Sequence, residues 1–261
     1  MLKWEGLPFV DRVVVAVTQQ AETRVRDIVA RLRPIPNAID LLLDHDVQSV
    51  RGKRVRLAAG LGMARVADGA TRASFAKRGL DLAIGTLLLA LAAAPIAAIA
   101  IAIRLEGKGP AFRRVQRLGL NNRSFGALVF STWCGAAPAA PARLDDPSVT
   151  RVGRFLARAR LHELPMLLNV LAGEMALVGP RPHPPRMKAA GLDVREIVPH
   201  YSHRHRVKPG LVGWACVNGA RGPLKTLGAA RKHIKLDLDY AARASLWLDL
   251  QILARAVLRV R

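Results

Sequence analysis

The four residues His162 to Pro165 place a base and an acid side by side, with a proline two residues after the acid. Imidazole and carboxylate groups both serve as nucleophiles and as general acids or bases. Pro165 suits the first turn of a helix, so the pair is predicted at or just before a helix N-terminus, where phosphate is favoured. The same residues also fit a capping Glu163 beside an exposed His162. A zinc-protease motif is excluded, because Met166 stands where its second histidine would be.

Arginines stand near turn-forming residues at several places in the chain. Arg181 lies between two prolines, and Arg204 and Arg206 precede a Pro-Gly turn. Arg117 ends the basic run FRRVQR. The guanidinium group is a planar fork that fits phosphate oxygens. We therefore predict that Arg117, Arg181, Arg204 and Arg206 contact substrate phosphates, although each residue alone also fits a solvated surface cation.

The charge of the chain narrows the class of partner. The formal net charge is +22 and the isoelectric point is near 11.5, which favours an anionic partner. Nucleic acid, an anionic membrane surface and a phosphorylated substrate all satisfy this condition, and part of the excess also fits arginines on ordinary solvated faces. Aromatic residues make up only 5% of the chain, and no nucleic-acid-binding motif is present. We therefore predict no nucleic-acid partner.

Residues 82–103 form an apolar segment of 22 residues without a charge. A helix of this length extends about 33 Å, enough for the hydrocarbon core of a bilayer. Pro95 lies near its middle and would bend the helix. Cations flank both ends of the segment, whereas a crossing helix usually shows a bias to one side. We predict a re-entrant, proline-kinked membrane helix, which enters and leaves the bilayer by the same face.

The front of the chain predicts a partial Rossmann-like fragment over residues 1–49. Residues 12–18 and 37–44 are predicted strands, and residues 21–32 carry a helical stripe of apolar positions. No GxGxxG motif follows the first strand, so dinucleotide binding has no support. Residues 50–75 are basic, rich in Gly and Ala and weakly patterned, and are interpreted as a linker.

Residues 76–261 are predicted to form one further domain that includes the membrane helix 82–103. Residues 109–133 resemble a basic hairpin, with turn residues near their middle. Residues 152–161 and 164–171 predict short helices, and residues 245–261 predict an amphipathic helix. The fold class is therefore mixed α/β, helix-rich and membrane-associated.

Several runs agree, in order, with one protein family. They include AKRGLDL, GPAFRRVQRLGLNN, DDPSVTRVGRFL, HELPMLLNVLAGEMALVGPRPH, YSHRHRVKPGLVGWACVNGARG and SLWLDLQILARAV. Over roughly residues 76–257 the chain resembles the bacterial sugar transferases, which are polyprenyl-phosphate phosphoglycosyl transferases of the monotopic type. The run from LLNVLAGEMALVGPRPH makes the resemblance far more specific than a short motif.

The resemblance implies transfer of a sugar-1-phosphate from a nucleotide diphosphate sugar, such as a UDP-sugar, to polyprenyl (undecaprenyl) phosphate. This step begins exopolysaccharide, O-antigen or capsule synthesis at the cytoplasmic face of the bacterial inner membrane, beside anionic membrane lipids. The resemblance also implies Mg²⁺, with Glu163 as its metal-linked acid, and a two-step mechanism through a carboxylate nucleophile. Whether the protein forms a homo-oligomer stays open.

The chain departs from the family pattern at the residues that carry the chemistry. His162 replaces the aspartate nucleophile, and only Glu163 of the pair is kept. Val129 and Ser131 replace a lysine and an arginine. The remaining replacements are Met166 for glutamine and Ala157 for arginine.

Three hypotheses follow from these departures. His162 is the nucleophile and forms a phosphohistidine, Glu163 serves as a misplaced nucleophile, or the chain is a catalytically impaired homologue that acts as a scaffold or regulator of polysaccharide assembly.

Overall fold

The fold is mixed and helix-rich, as predicted. The computed structural model describes residues 12–17, 28, 32, 36–43, 49–50, 53–54, 56–58, 61–67, 75–107, 109–133, 146, 148–198, 200–220, 222, 224 and 226–258.

The described residues before the long apolar segment form six strands: β1 (Arg12–Val17), β2 (Ala38–Leu43), β3 (Ser49–Val50), β4 (Lys53–Arg54), β5 (Arg56–Ala58) and β6 (Leu61–Ala67). Four of them form one sheet in the order β1-β2-β6-β5, in which β1 and β2 are parallel and the other pairs antiparallel. The two predicted strands correspond to β1 and β2. Of the predicted helix, only residues 28 and 32 are described, and both are helical.

The range 50–75 is more ordered than the linker interpretation anticipated. It contains β4 and β5, and β6 pairs with β2 over most of its length. The apolar pattern of these residues is weak, so their strand conformation depends on hydrogen bonds to the earlier strands rather than on local propensity. The domain boundaries at residues 49 and 75 stay predictions.

Helix α1 spans Phe75–Glu106, so it contains the predicted apolar segment and extends it at both ends. Pro95 lies inside the helix. By length and composition α1 is the one helix of the described residues that could cross a membrane. Little of its apolar stretch is buried, and large side chains such as Leu87, Leu91 and Ile101 are exposed.

The N-terminal end of α1 is fixed by side chains of its first turn. Lys77 donates to Asp249 Oδ2 at 2.5 Å. Arg78 donates to the carbonyl oxygens of Val170 and Leu171, each at 2.7 Å. This end is therefore held by residues that lie far along the chain.

The C-terminal end of α1 is fixed by its last residue. The Glu106 carboxylate accepts hydrogen bonds from the backbone N–H groups of Arg151 and Val152 at 2.6 and 2.9 Å. Between the two ends, Leu89 and Ile96 pack against two buried apolar clusters of the following domain. One face of α1 thus lies along that domain, while the opposite face is uncovered.

The domain after α1 begins with an antiparallel hairpin and continues with short helices and strands. The predicted hairpin is confirmed, and its strand register runs from Phe112↔Phe130 to Leu118↔Ser124. The predicted helices before and after HELP, and at the C-terminus, are also present. The elements are β7 (Phe112–Leu118), β8 (Ser124–Phe130), α2 (Arg151–Ala159), α3 (Met166–Ala172), β9 (Ala176–Val178), β10 (Lys188–Ala189), β11 (Leu192–Asp193), α4 (Val194–Ile197), β12 (Gly210–Val212), α5 (Trp214–Val217), α6 (Leu227–Arg243) and α7 (Leu246–Leu258).

Candidate active site

His162 and Glu163 lie in a tight turn between α2 and α3. Helix α2 ends at Arg160, whose φ of 59° reverses the chain direction. Residues Leu161–Glu163 then form a single 3₁₀ turn, and Pro165 is the N-cap of α3. The prediction that the pair precedes a helix N-terminus is confirmed. Because α3 has only seven residues, we assign the attraction for anions to side chains and not to the helix.

The His162 ring has a defined orientation in this turn. Its Nδ1 lies 3.4 Å from the carbonyl oxygen of Leu156, and a carbonyl only accepts hydrogen bonds. A proton on Nδ1 would make this contact a hydrogen bond, and in that tautomer of the neutral ring Nε2 carries the free electron pair. Nε2 lies 3.6 Å from Glu163 Oε1, and both side chains are about a quarter exposed. The free electron pair is thus directed to the Glu163 side of the turn.

Glu163 forms an ion pair with Arg181. Arg181 comes from the Gly-Pro-Arg-Pro turn that follows β9. β9 and β12 are parallel neighbours, and their ends are joined by hydrogen bonds from Gly179 N to Val212 O and from Gly210 N to Pro180 O, both 3.0 Å. This strand pairing fixes the backbone of the turn from which the Arg181 side chain reaches Glu163.

The close pairing of β9 with β12 requires glycine at two positions. A Cβ atom on Gly179 would lie 2.4 Å from the Lys208 carbonyl oxygen, and one on Gly210 would lie 2.1 Å from Gly179 N. These distances are far below van der Waals contact, so any side chain would force the two backbones apart. The two glycines therefore maintain the geometry of the Arg181 turn.

Arg117 joins Glu163 and Arg181 from the hairpin. It lies near the end of β7, and the next residue, Leu118, donates its N–H to the His183 carbonyl oxygen at 2.9 Å. Burial lowers the pKa of the Arg117 guanidinium, the Glu163 carboxylate raises it, and the Arg181 guanidinium lowers it. The three charged groups are therefore electrostatic neighbours. Two guanidiniums and one carboxylate leave a net charge of +1 beside His162.

Arg204 occupies a different position from the one that the sequence predicted. It is 2% exposed and donates to Asp237 Oδ2 and to the Arg181 carbonyl oxygen, both at 2.6 Å. A third hydrogen bond, of 3.4 Å, goes to the Tyr201 hydroxyl. This location does not fit a phosphate contact, because the guanidinium is already committed to protein acceptors below the surface. Arg204 instead supports the backbone of Arg181.

Arg206 is half-buried in the 3₁₀ turn Tyr201–Arg206, where its Nη2 lies 3.3 Å from His203 Nε2. Its predicted phosphate contact stays a prediction. Direct contacts thus join His162, Glu163 and Arg181, and Arg117 lies within electrostatic range of Glu163 and Arg181; we call these four residues the acid–arginine cluster.

Asp237, the partner of Arg204, was not predicted from the sequence. A signal for it exists in the spacing of α6. Ala230, Ile234 and Asp237 lie on one buried face of this helix, so the acid interrupts an apolar stripe. A carboxylate at such a position needs a buried cation or hydrogen-bond donors.

Three of the positions at which the resemblance implies other residues are buried behind the site. Val129 and Met166 are buried and belong to the same apolar cluster. Ser131 is also buried, and its hydroxyl accepts a hydrogen bond from Arg113 Nε at 2.8 Å. Val129 and Met166 therefore share one apolar environment.

Comparison with known proteins defines the family. The family described as bacterial sugar transferase matches residues 72–261, which is most of the chain. The chain belongs to the bacterial sugar transferase family. The match includes α1, the hairpin and the whole acid–arginine cluster of this bacterial sugar transferase.

Individual relatives of this sugar transferase carry related names. An undecaprenyl-phosphate glucose phosphotransferase of Komagataeibacter xylinus is 42% identical over 187 residues, which is 70% of this chain and 35% of that protein. A UDP-glucose:undecaprenyl-phosphate glucose-1-phosphate transferase of Caulobacter vibrioides is 38% identical over 266 residues, covering 98% of this chain and 96% of that protein. A UDP-N-acetylgalactosamine-undecaprenyl-phosphate N-acetylgalactosaminephosphotransferase of Aeromonas hydrophila is 36% identical over 187 residues, 70% of this chain and 43% of that protein.

The chain therefore spans nearly all of one of these relatives and less than half of the other two.

Proposed function

We propose that this protein transfers a sugar-1-phosphate from a UDP-sugar to undecaprenyl phosphate, the step that begins exopolysaccharide, O-antigen or capsule synthesis. The observation that carries the proposal is the cluster of His162, Glu163, Arg181 and Arg117 in a bacterial sugar transferase fold. The names of the relatives support both substrates, and they include glucose and N-acetylgalactosamine as the sugar.

The first step uses the free electron pair of His162 Nε2. It attacks the phosphorus that bears the sugar, an N–P bond forms, and the P–O bond to the nucleoside monophosphate breaks. The nucleoside monophosphate leaves with that electron pair. The Leu156 carbonyl oxygen faces Nδ1–H and holds the ring in the tautomer that this attack requires.

The second step returns the imidazole to its starting state. A phosphate oxygen of undecaprenyl phosphate attacks the same phosphorus, an O–P bond forms, and the N–P bond breaks. Arg181 and Arg117 stabilise the negative charge on the phosphate oxygens in both steps. Glu163 orients Arg181 through their ion pair, which makes the carboxylate itself a poor nucleophile.

The residues of the site fit the Mg²⁺ ion that the family implies. Mg²⁺ is bound by one or two carboxylates together with water and substrate phosphates, and Glu163 supplies such a carboxylate. When bound, the ion neutralises charge on the diphosphate. The protein side chains contribute a net charge of only +1. A bound diphosphate would therefore keep negative charge that an additional cation can neutralise.

We also propose that α1 is re-entrant and that the protein lies at the cytoplasmic face of the bacterial inner membrane. The 32 residues of α1 extend about 48 Å, and both ends are fastened to the domain that follows it. A helix that crossed the bilayer would place these ends on opposite sides. The uncovered apolar face fits the hydrocarbon, and the net charge of +22 fits anionic lipid headgroups.

We interpret residues 1–49 as a partial Rossmann-like unit, for which the parallel pair β1–β2 is the support.

A second function is favoured by one observation, the burial of Val129 and Ser131. The family pattern has cations at both positions, and here a valine in the core and a serine bonded to Arg113 replace them. A homologue impaired in this way would act as a scaffold or regulator of polysaccharide assembly. The two functions differ in whether a covalent intermediate forms.

Purified protein in detergent, with Mg²⁺ and UDP-glucose labelled at the sugar-bearing phosphorus, tests the proposal. We expect label on the protein and release of UMP, and transfer of the label to added undecaprenyl phosphate. A phosphohistidine is labile to acid and stable to base, whereas an acyl phosphate on Glu163 is labile to both acid and base. His162→Gln, which replaces the imidazole by an uncharged amide of similar size, should abolish labelling.

The matched control is His200→Gln, because His200 is an exposed histidine outside the cluster. It should label like the wild type. An adduct that is lost in base would identify Glu163 as the nucleophile. Absence of UMP release with every UDP-sugar tried, together with activity of His162→Asp, would overturn the phosphohistidine mechanism in favour of the impaired homologue.

A further inference from the structure

Three side chains that can bind metals meet beneath the Arg181 turn. His183 follows that turn, and His233 and Asp237 lie one helical turn apart on α6. All three are buried, and their ligand atoms lie within 4.8 Å of one another. The proposed transfer reaction makes no use of this cluster.

Two polar atoms of the cluster have no hydrogen-bond partner although they are buried: His233 Nε2 and Asp237 Oδ1. A buried acceptor without a partner is unfavourable, because it has lost its hydrogen bonds to water. His233 Nδ1 lies 3.0 Å from the Ala220 carbonyl oxygen, so it carries the proton of the neutral ring. The electron pair of Nε2 then faces the cluster, which is the tautomer that a metal-binding histidine needs.

Residues around the cluster orient its members as the outer partners of a metal site do. The Tyr201 hydroxyl lies 3.0 Å from His183 Nδ1, which leaves Nε2 of His183 as the ring nitrogen that can ligate a metal. Arg204 holds Asp237 through Oδ2 at 2.6 Å and leaves Oδ1 unpaired. A carboxylate that is hydrogen-bonded through one oxygen and ligates through the other is common in metal sites.

We infer that His183, His233 and Asp237 bind one divalent transition-metal ion, with Zn²⁺ as the best match. Two imidazoles and one carboxylate are ligands of this group of ions, and they leave one tetrahedral position for water. Mg²⁺ prefers all-oxygen ligands and is not expected here. The inference does not depend on the proposed transferase activity.

The ion would join two parts of the fold that position the acid–arginine cluster. His183 is two residues from Arg181, and Asp237 already reaches the Arg181 backbone through Arg204. The positive charge of Arg204 opposes a second cation nearby, but the shared carboxylate of Asp237 lies between them. Metal binding would therefore stabilise the fold and fix the Arg181 turn.

Metal titration of the full chain tests the inference. Protein purified in detergent is treated with a chelator and titrated with Zn²⁺ or Co²⁺ in the absence of substrates. We expect one equivalent to bind, a higher Tm with Zn²⁺, and visible absorption bands of low-symmetry Co²⁺. His233→Gln should weaken binding by at least about 10-fold. His200→Gln, which changes an exposed histidine that stacks on His203, should bind like the wild type.

A measurement on the wild type keeps the test decisive where His233→Gln does not fold. X-ray absorption of the zinc-loaded protein should show two imidazole ligands and oxygen ligands without sulfur. Failure of the wild type to bind one equivalent, a sulfur ligand, or binding that is lost in His200→Gln but kept in His233→Gln would each overturn the inference.

Discussion

Arg204 donates a hydrogen bond of 2.6 Å to the backbone carbonyl oxygen of Arg181, so a buried guanidinium supports the residue whose own guanidinium pairs with Glu163. The same group neutralises Asp237, whose carboxylate is also buried. The buried Arg204–Asp237 pair and the more exposed Arg181–Glu163 pair are therefore connected through the backbone carbonyl group of Arg181.

Replacing Arg204 by lysine should lower kcat/KM by about 100-fold, because lysine lacks the fork that reaches both Asp237 and Arg181, and a small misplacement of Arg181 is costly. UMP release from the UDP-sugar measures the effect. In an Arg181→Ala background, Arg204→Lys should have no further effect on the rate, although it should still lower Tm. A further loss of rate in that background would contradict a positioning role.

Gly210→Ala should destabilise the protein by about 3 kcal/mol or more, because the added Cβ would lie 2.1 Å from Gly179 N. Thermal denaturation in detergent measures the change. The control is Gly228→Ala in α6, where no atom lies within 4 Å of the added Cβ. That substitution should be neutral or stabilising by about 0.5–1 kcal/mol. Equal stability of the two variants would show that the pairing of β9 with β12 tolerates a side chain at Gly210.

Lys77→Met should cost about 3–5 kcal/mol, because it leaves the Asp249 carboxylate buried without its cation. The double variant Lys77→Met/Asp249→Leu should regain most of that stability. In it, the Tyr240 hydroxyl loses Asp249 but keeps the Val178 carbonyl oxygen at 3.1 Å. Denaturation of the two single variants and the double variant gives the coupling energy. Additive losses would mean that the ion pair does not fasten α1.

Arg117→Gln should raise KM for the UDP-sugar about 10-fold or more, since a charge-assisted hydrogen bond contributes about 1.5–3 kcal/mol. The matched control is Arg114→Gln, which makes the same charge change on the opposite face of β7, where Arg114 is exposed. Its KM should stay near the wild-type value. If both variants raise KM equally, long-range charge and not a local contact explains the effect.

Local patterns predicted the elements that carry the site. The turn residues between β7 and β8, the proline of HELP and the paired prolines around Arg181 all act within a few residues of the structure they determine. His162, Glu163 and Arg181 could therefore be placed in turns from the sequence, and the family resemblance placed them together.

Long-range pairing explains what the sequence could not show. The burial of Arg204 depends on Asp237, which lies 33 positions further along the chain. An arginine before a Pro-Gly turn has the same local pattern whether it faces substrate or an internal carboxylate. The strand β6 was missed for a related reason, because its partner β2 lies outside its own segment.

The fastening of α1 has a consequence for biosynthesis. Asp249, the partner of Lys77, is 172 positions further along the chain, so it leaves the ribosome long after the apolar helix does. Until α7 has been synthesised, Lys77 and the apolar helix that contains it lack that contact. We expect the exposed apolar helix to need cover by the bilayer or by a chaperone during this interval, and docking of α7 then completes the set of contacts that Arg78 and Glu106 begin.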